Sequence, residues 1–237
     1  EERTLELLQE AVAILDEVSG DRIRHELDQI FSEENASDML QRLHELGILS
    51  RVHKSLQWDE NMSSDLKKFK ASRSLYVDQD NFSIDTVDKM IDATYLILTL
   101  RLAPENLRAV IKRLRFRGDF QQVLLAANSL WKNQDFLSTL PAGEFTEKIE
   151  KYPPLAVCLL SSLTLNTEVS SKTQEFIHTW RTMEIATTGD DLKQMHIPPG
   201  PIYHQILRQL RIAKINGTIN TAESEKEMLQ QILSKMN

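Results

Sequence analysis

The sequence predicts an all-α protein, an irregular array of many short antiparallel helices, and three observations carry that reading. Apolar residues recur at helical spacing along most of the 237 residues, 41% of which are hydrophobic. Glycine and proline are scarce, seven of each, and fall between the periodic stretches rather than inside them. No exact repeat of fixed period is present, which argues against a regular solenoid. With this apolar content the chain can bury a sizeable core.

The expected helices have legible ends. In "RTLELLQEAVAILDEVSG", Leu5, Leu8, Val12 and Leu15 share one helical face, and Gly20 suits a stop. Ser19 is placed to cap the next helix, "DRIRHELDQIF", which turns Ile23, Leu27 and Ile30 to one side and spaces Arg22 and Glu26 for pairing on another. A third helix runs from about Ala36 to Leu46 with Met39, Leu40, Leu43 and Leu46 inward. Gly47 reads as its left-handed terminator, and Ile48 as the apolar contact that follows. Residues 51–81 mix turn chemistry with a short polar helix and are expected to form a connector.

"FSIDTVDKMIDATYLILTLRL" resumes a long helix, which Ala103-Pro104 breaks, because proline disfavours helix at the residue before it and suits the first turn of a new one. Gly118-Asp119, Pro141-Ala142-Gly143 and Pro153-Pro154 mark further boundaries. Phe176, Ile177 and Trp180 centre another helix. The last is expected to open at Asn220, with Glu223 in capping-box spacing.

A formal charge of −7 argues against non-specific coating of nucleic acid, which needs clustered Lys and Arg. Local clusters exist nonetheless. Between Arg101 and Arg117 the basic residues Arg101, Arg108, Lys112, Arg113, Arg115 and Arg117 face one acid, Glu105, and a smaller group is Arg208, Arg211 and Lys214. The lone cysteine, Cys158, lies in the apolar run "PPLAVCLLSSL", reads as a buried structural thiol, and excludes an internal disulfide. No apolar stretch approaches the roughly 20 residues of a membrane span. The start, "EERTLELLQE", reads as an acidic amphipathic helix rather than a signal peptide, so cytoplasmic residence is expected.

Residues that carry catalysis are not evident. Asp78-Gln79-Asp80 has a spacing that can hold Mg²⁺, but it lies in a polar stretch away from any strand or glycine-rich turn. The six histidines, His25, His44, His53, His178, His196 and His204, show no metal-ligand spacing. No nucleophile elbow or phosphate-binding loop is present. The expectation is no catalytic group and no metal or other cofactor in this chain.

Two stretches go further by resemblance. "VSGDRIRHEL", followed by "MLQRLHELGIL", resembles the segment after the catalytic head in the tRNA nucleotidyltransferase and poly(A) polymerase family, which includes the bacterial-type CCA-adding and A-adding enzymes. There a Ser-x-(Glu/Asp)-Arg-Ile-x-x-Glu-Leu helix joins neck to body, and Ser19, Asp21, Arg22, Ile23, Glu26 and Leu27 match it. "TGDDLKQMHIPPGPIYHQILRQL" is similar to the family's tail, through Gly189, Asp191, Leu192, Pro199, Gly200, Pro201, Ile206 and Leu207. His196 and His204 stand where that family commonly has small residues, often glycine.

The resemblance implies a C-terminal piece of a larger enzyme, inactive alone, whose missing N-terminal head would use Mg²⁺ with CTP or ATP. It divides the chain into a neck remnant with an RNA-binding-type helical segment (1–70), a helical body (71–185) and a helical tail (186–237). The partner it implies is tRNA, or another RNA 3′ end, rather than DNA or a membrane. Such a body and tail grip the acceptor and TΨC arms by shape and backbone. The basic groups Arg108, Lys112, Arg113, Arg115 and Arg117, with Arg208, Arg211 and Lys214, are the expected phosphate contacts. Arg22 and Glu26 are expected to support structure, as are Gly189, Asp191 and Gly200, which would turn the chain between two tail helices. The other reading of the same residues is a helical protein-interaction module with no RNA ligand. Oligomeric state and the nucleotides added by the parent are not written in these residues.

Overall fold

The computed structural model describes residues 14–76 and 87–235. Leu5, Leu8, Val12, Asp78 and Asp80 lie outside them. Fourteen α-helices and two short 3-10 turns occur among the described residues, with no strand. The helices are α1 (Gly20–Ser32), α2 (Ala36–Glu45), α3 (Ile48–Val52), α4 (Glu60–Ser72), α5 (Val87–Thr99), α6 (Pro104–Arg113) and α7 (Gly118–Lys132). They continue as α8 (Gln134–Ser138), α9 (Ala142–Ile149), α10 (Pro154–Leu163), α11 (Thr167–His178), α12 (Gly189–Gln194), α13 (Pro201–Ile215) and α14 (Ala222–Ser234).

The chain forms two compact units, one of residues 1–134 with 152–170 and one of 135–151 with 171–237. In the first, α10 packs against α4, α5 and α7. Its sequence "PLAVCLLSSL" is apolar around the whole helix, and every residue from Leu155 to Ser161 is buried, including Cys158. Such a helix is stable only inside a core. Against α5 lies α1, whose buried stripe is Gly20, Ile23, Leu27 and Phe31. Phe31 therefore takes the core position expected of Ile30, and its ring meets Tyr95 edge-on at 4.6 Å.

The expected connector is instead core material from Leu56 to Phe69. Leu56, Trp58 and Phe69 have no exposed surface, and the Trp58 indole N–H donates to Ser63 Oγ at 3.0 Å. Polar composition misled because α4 needs only Leu66 and Phe69, one turn apart, to bury its inner face.

The second unit is built on α9, α12, α13 and α14. Helix α9 comes so close to α13 that a Cβ on Gly143 would lie 2.8 Å from the Ile212 carbonyl oxygen, and the Gly143 N–H donates to Asn216 Oδ1 at 2.8 Å. The final helix is capped by Thr221, whose hydroxyl accepts from the Ser224 N–H at 3.1 Å. That corrects the expected Asn220–Glu223 box by one residue; the Asn220 side chain donates instead to the Gly217 carbonyl.

Glu225 ties α14 to the segment before α12. It is buried, and its carboxylate accepts from the Ala186 N–H at 3.1 Å, the Thr187 N–H at 2.6 Å and the Thr187 hydroxyl at 2.7 Å. Burial by itself raises the carboxyl's pKa, but the Thr187 and Ala186 hydrogen bonds and the Lys214 charge outweigh it and leave the value lowered from 4.5. Its stabilisation is thus complete above the unfolded value of 4.5 and lost as pH falls through the lower folded value. Glu225→Gln should cost about 2 kcal/mol near neutral pH, since charge-assisted hydrogen bonds are the strong ones. The gap between wild type and variant in denaturant titrations should narrow below about pH 4. A gap that stays constant down to about pH 3 would refute this role.

Candidate nucleic-acid interface

The basic run is displayed by α6 and the turn after it. Pro104 opens α6, with Leu107, Val110 and Ile111 buried, which leaves Arg108 and Lys112 on the exposed side. The helix ends when the Phe116 N–H donates to the Ile111 carbonyl and the Arg115 N–H to that of Lys112. This termination places Arg115 at φ 54°, where glycine is usual. The side chain retained there donates from Nη1 to Asp21 Oδ2 at 2.9 Å.

The cluster then divides by partner. Arg113 turns inward, donating to the Leu15 and Val18 carbonyls at 2.7 and 3.0 Å. In return Arg24 donates to the Leu114 and Arg115 carbonyls at 3.0 and 2.9 Å, lies 5.6 Å from the Phe116 ring centre, and pairs with Asp21 at 3.1 Å. This exchange ties the start of α1 to the end of α6. Gly20 lies at the crossing: a Cβ there would be 2.0 Å from the Arg113 carbonyl oxygen. Arg115's hydrogen bond is the main influence holding the Asp21 carboxyl below its usual range; partial burial opposes it, and the charges of Arg115, Arg24 and Arg117 reinforce it.

Arg108, Lys112 and Arg117 remain exposed and make no ion pair among the described residues. With Arg115 they rim a shallow cleft of about 490 Å³, whose other lining residues include Ile111, Gln121 and Leu125. In the second unit, Arg208 is paired with Glu147 through Nε and Nη2, and Arg211 with Glu150 at 2.8 Å. Lys214 donates to the Glu184 carbonyl. The two arginines of this group are paired with acids of their own unit, and the lysine is held by a backbone oxygen.

Of the motif residues, Ser19 and Asp191 take part in helix caps. Ser19 caps α1, its hydroxyl accepting from the Arg22 N–H at 3.4 Å. Arg22 and Glu26 are exposed and form no ion pair with each other; Arg24, three residues from Asp21, is the arginine that makes the contacts. In the tail, Asp191 accepts from the Thr188 N–H and hydroxyl at 2.7 Å while Thr188 caps α12. Thr188 went unnamed in the sequence reading, although its three-residue spacing to Asp191 is a capping signal. Tyr203 closes the loop by donating to the Ile197 carbonyl at 2.8 Å. His196 sits at φ 62°, the left-handed region, so the resemblance's glycine at that position has a backbone reason. Gly200, by contrast, is extended and has open space around it.

Among the described residues no group of His, Cys, Asp or Glu is arranged to hold a metal ion, and no helix is long and apolar enough to cross a membrane.

A helical array of this kind is found in CCA-adding enzymes. The Thermotoga maritima CCA-adding enzyme complexed with tRNA matches with a TM-score of 0.74 at 17% identity, over 100% of this chain and 57% of that one. A CCA-adding enzyme in complex with ATP matches with a TM-score of 0.74 at 18% identity, over 100% of this chain and 56% of that one. In sequence, the A-adding tRNA nucleotidyltransferase of Geobacter sulfurreducens is 25% identical over 232 residues, 94% of this chain and 26% of that protein. Residues 1–58 match the family model described as "Probable RNA and SrmB- binding site of polymerase A". The chain spans about a quarter of the curated relative and somewhat over half of the solved ones. The solved structures show a shared helical fold, and the sequence is similar to that of an A-adding tRNA nucleotidyltransferase.

Proposed function

We propose that this chain is the RNA-gripping portion of a cytoplasmic nucleotidyltransferase that extends RNA 3′ ends, with tRNA as the partner. The division into neck remnant (1–70), body (71–185) and tail (186–237) belongs to this reading, as does a separate head using CTP or ATP with Mg²⁺. Whether the parent adds CCA, the terminal A or poly(A) would be decided in that head. The observation that carries the reading is the set of unpaired cations, Arg108, Lys112 and Arg117, around the cleft shared with Arg115. Exposed cations that form no ion pair are what phosphate neutralisation uses. Arg113 supports the interface from inside, while Arg208, Arg211 and Lys214 would add contacts only by exchanging their present partners for phosphate.

The triple charge reversal Arg108→Glu, Lys112→Glu and Arg117→Glu should weaken tRNA binding by about tenfold or more and flatten the slope of log K against log salt by about 2 to 3. A gel shift at several salt concentrations reads both. Unchanged affinity with unchanged slope would defeat the reading. It would favour the helical protein-interaction module with no RNA ligand.

A further inference from the structure

The basic cleft does not end at its own rim. Arg115, Phe116 and Arg117 also line a second cleft in the same unit, of about 620 Å³, so the two share one wall. The chemistry changes from one to the other. In the first, the charged lining residues are all cations; in the second, Asp28 from α1 and Asp88 and Asp92 from α5 stand beside Ile91, Tyr95 and Phe120, while Arg24, also in the lining, is taken up by Asp21 and the Leu114 and Arg115 carbonyls.

The aromatic part of the second cleft is ordered. Tyr95 meets Phe116 edge-on at 4.9 Å, and Phe116 meets Phe120 at 5.3 Å. The Tyr95 hydroxyl donates to Asp28 Oδ1 at 2.7 Å, which fixes that carboxylate on the cleft wall. Phe120 is half-buried and offers part of its ring. Asp92 has a side chain 30% exposed, and its ion-pair partner among the described residues is Lys89, at 4.0 Å. Burial pushes its carboxyl up to about 6, with Lys89 opposing and Asp88 and Asp28 reinforcing, so a hydrogen-bond donor placed there would be welcome. The carboxylates form no metal-holding group among the described residues.

Phosphate-binding cations that lead into an aromatic, carboxylate-lined recess suit an unstacked nucleotide. The backbone would follow Arg108, Lys112 and Arg117, and the base would rest against Phe120. Ionised carboxylates accept hydrogen bonds and do not donate them, so they favour bases with exocyclic amines, adenine, cytosine and guanine. Uracil, with two carbonyl oxygens and a single N3–H donor, is the poorest partner. We infer that the joined clefts form a single-stranded RNA subsite that selects an amine-bearing base over uracil. This rests on the phosphate-binding reading of the basic face.

The test is fluorescence anisotropy of the intact chain with labelled A6, C6 and U6 RNA at low salt, beside tRNA. A6 and C6 should bind about tenfold tighter than U6, the ratio expected from one good base-edge contact. Asp88→Asn with Asp92→Asn should bring the three within about twofold, because an amide both donates and accepts. Equal affinities for the three hexamers in the wild type, or no hexamer binding beside salt-dependent tRNA binding, would overturn the subsite and leave the phosphate face standing. Failure to bind tRNA as well would overturn both. The wild-type comparison decides the matter even if the double variant does not fold.

Discussion

Gly20→Ala is expected to lower the unfolding free energy of the chain by about 3 kcal/mol or more, at the upper end for overpacking by one methyl group. The cause is position rather than backbone freedom. The added Cβ would sit 2.0 Å from the Arg113 carbonyl oxygen and 3.2 Å from the Arg115 Cγ, so α1 and the end of α6 would have to separate. Separation would break the Arg24 bonds to the Leu114 and Arg115 carbonyls and the Arg113 bonds to Leu15 and Val18 together. A Gly200→Ala control, with open space around it, should stay within about 0.5 kcal/mol of wild type. Denaturant midpoints for the two variants make the comparison, and a Gly20→Ala loss below about 1 kcal/mol would mean that the crossing yields without cost.

Gly20 shows where sequence reading worked and where it stopped. Ser19 was legible as a cap because capping is local, but Gly20 is the first residue of α1 rather than the stop of the helix before it. Its steric partner, Arg113, is far away in the chain, and no nearby residue announces it. The same division holds elsewhere. Pro104 opened a helix where expected, and Gly47 ended one at φ 73°, since each acts through its own backbone. Trp58 was invisible as core because its burial depends on packing remote from a polar stretch. For the candidate interface, the run of cations could be counted, but which cations stay free depends on side-chain direction. Arg113 and Arg115 are drawn toward α1 while Arg108, Lys112 and Arg117 are left to solvent.

Arg101, from the same basic run and with 38% of its side chain exposed, is expected to act as the partner of a buried acid rather than as an RNA contact. Its Nη2 donates to Asp65 Oδ2 at 2.6 Å, and its guanidinium lies 4.7 Å from the Trp131 ring centre. Asp65 keeps only 7% of its side-chain surface, so Arg101→Ala would strand a carboxylate inside the unit at a cost of about 3 kcal/mol. Arg101→Lys should recover the charge but lose the planar fork and the stacking on Trp131, giving an intermediate stability. Arg101→Met with Asp65→Leu should restore most of the loss, because breaking a buried pair costs more than replacing both members. Chemical denaturation of the set, analysed as a double-mutant cycle, measures the coupling directly. tRNA affinity of Arg101→Lys should stay near wild type while that of Arg108→Glu falls. Equal losses in the two would move Arg101 out of that role and onto the RNA-binding face.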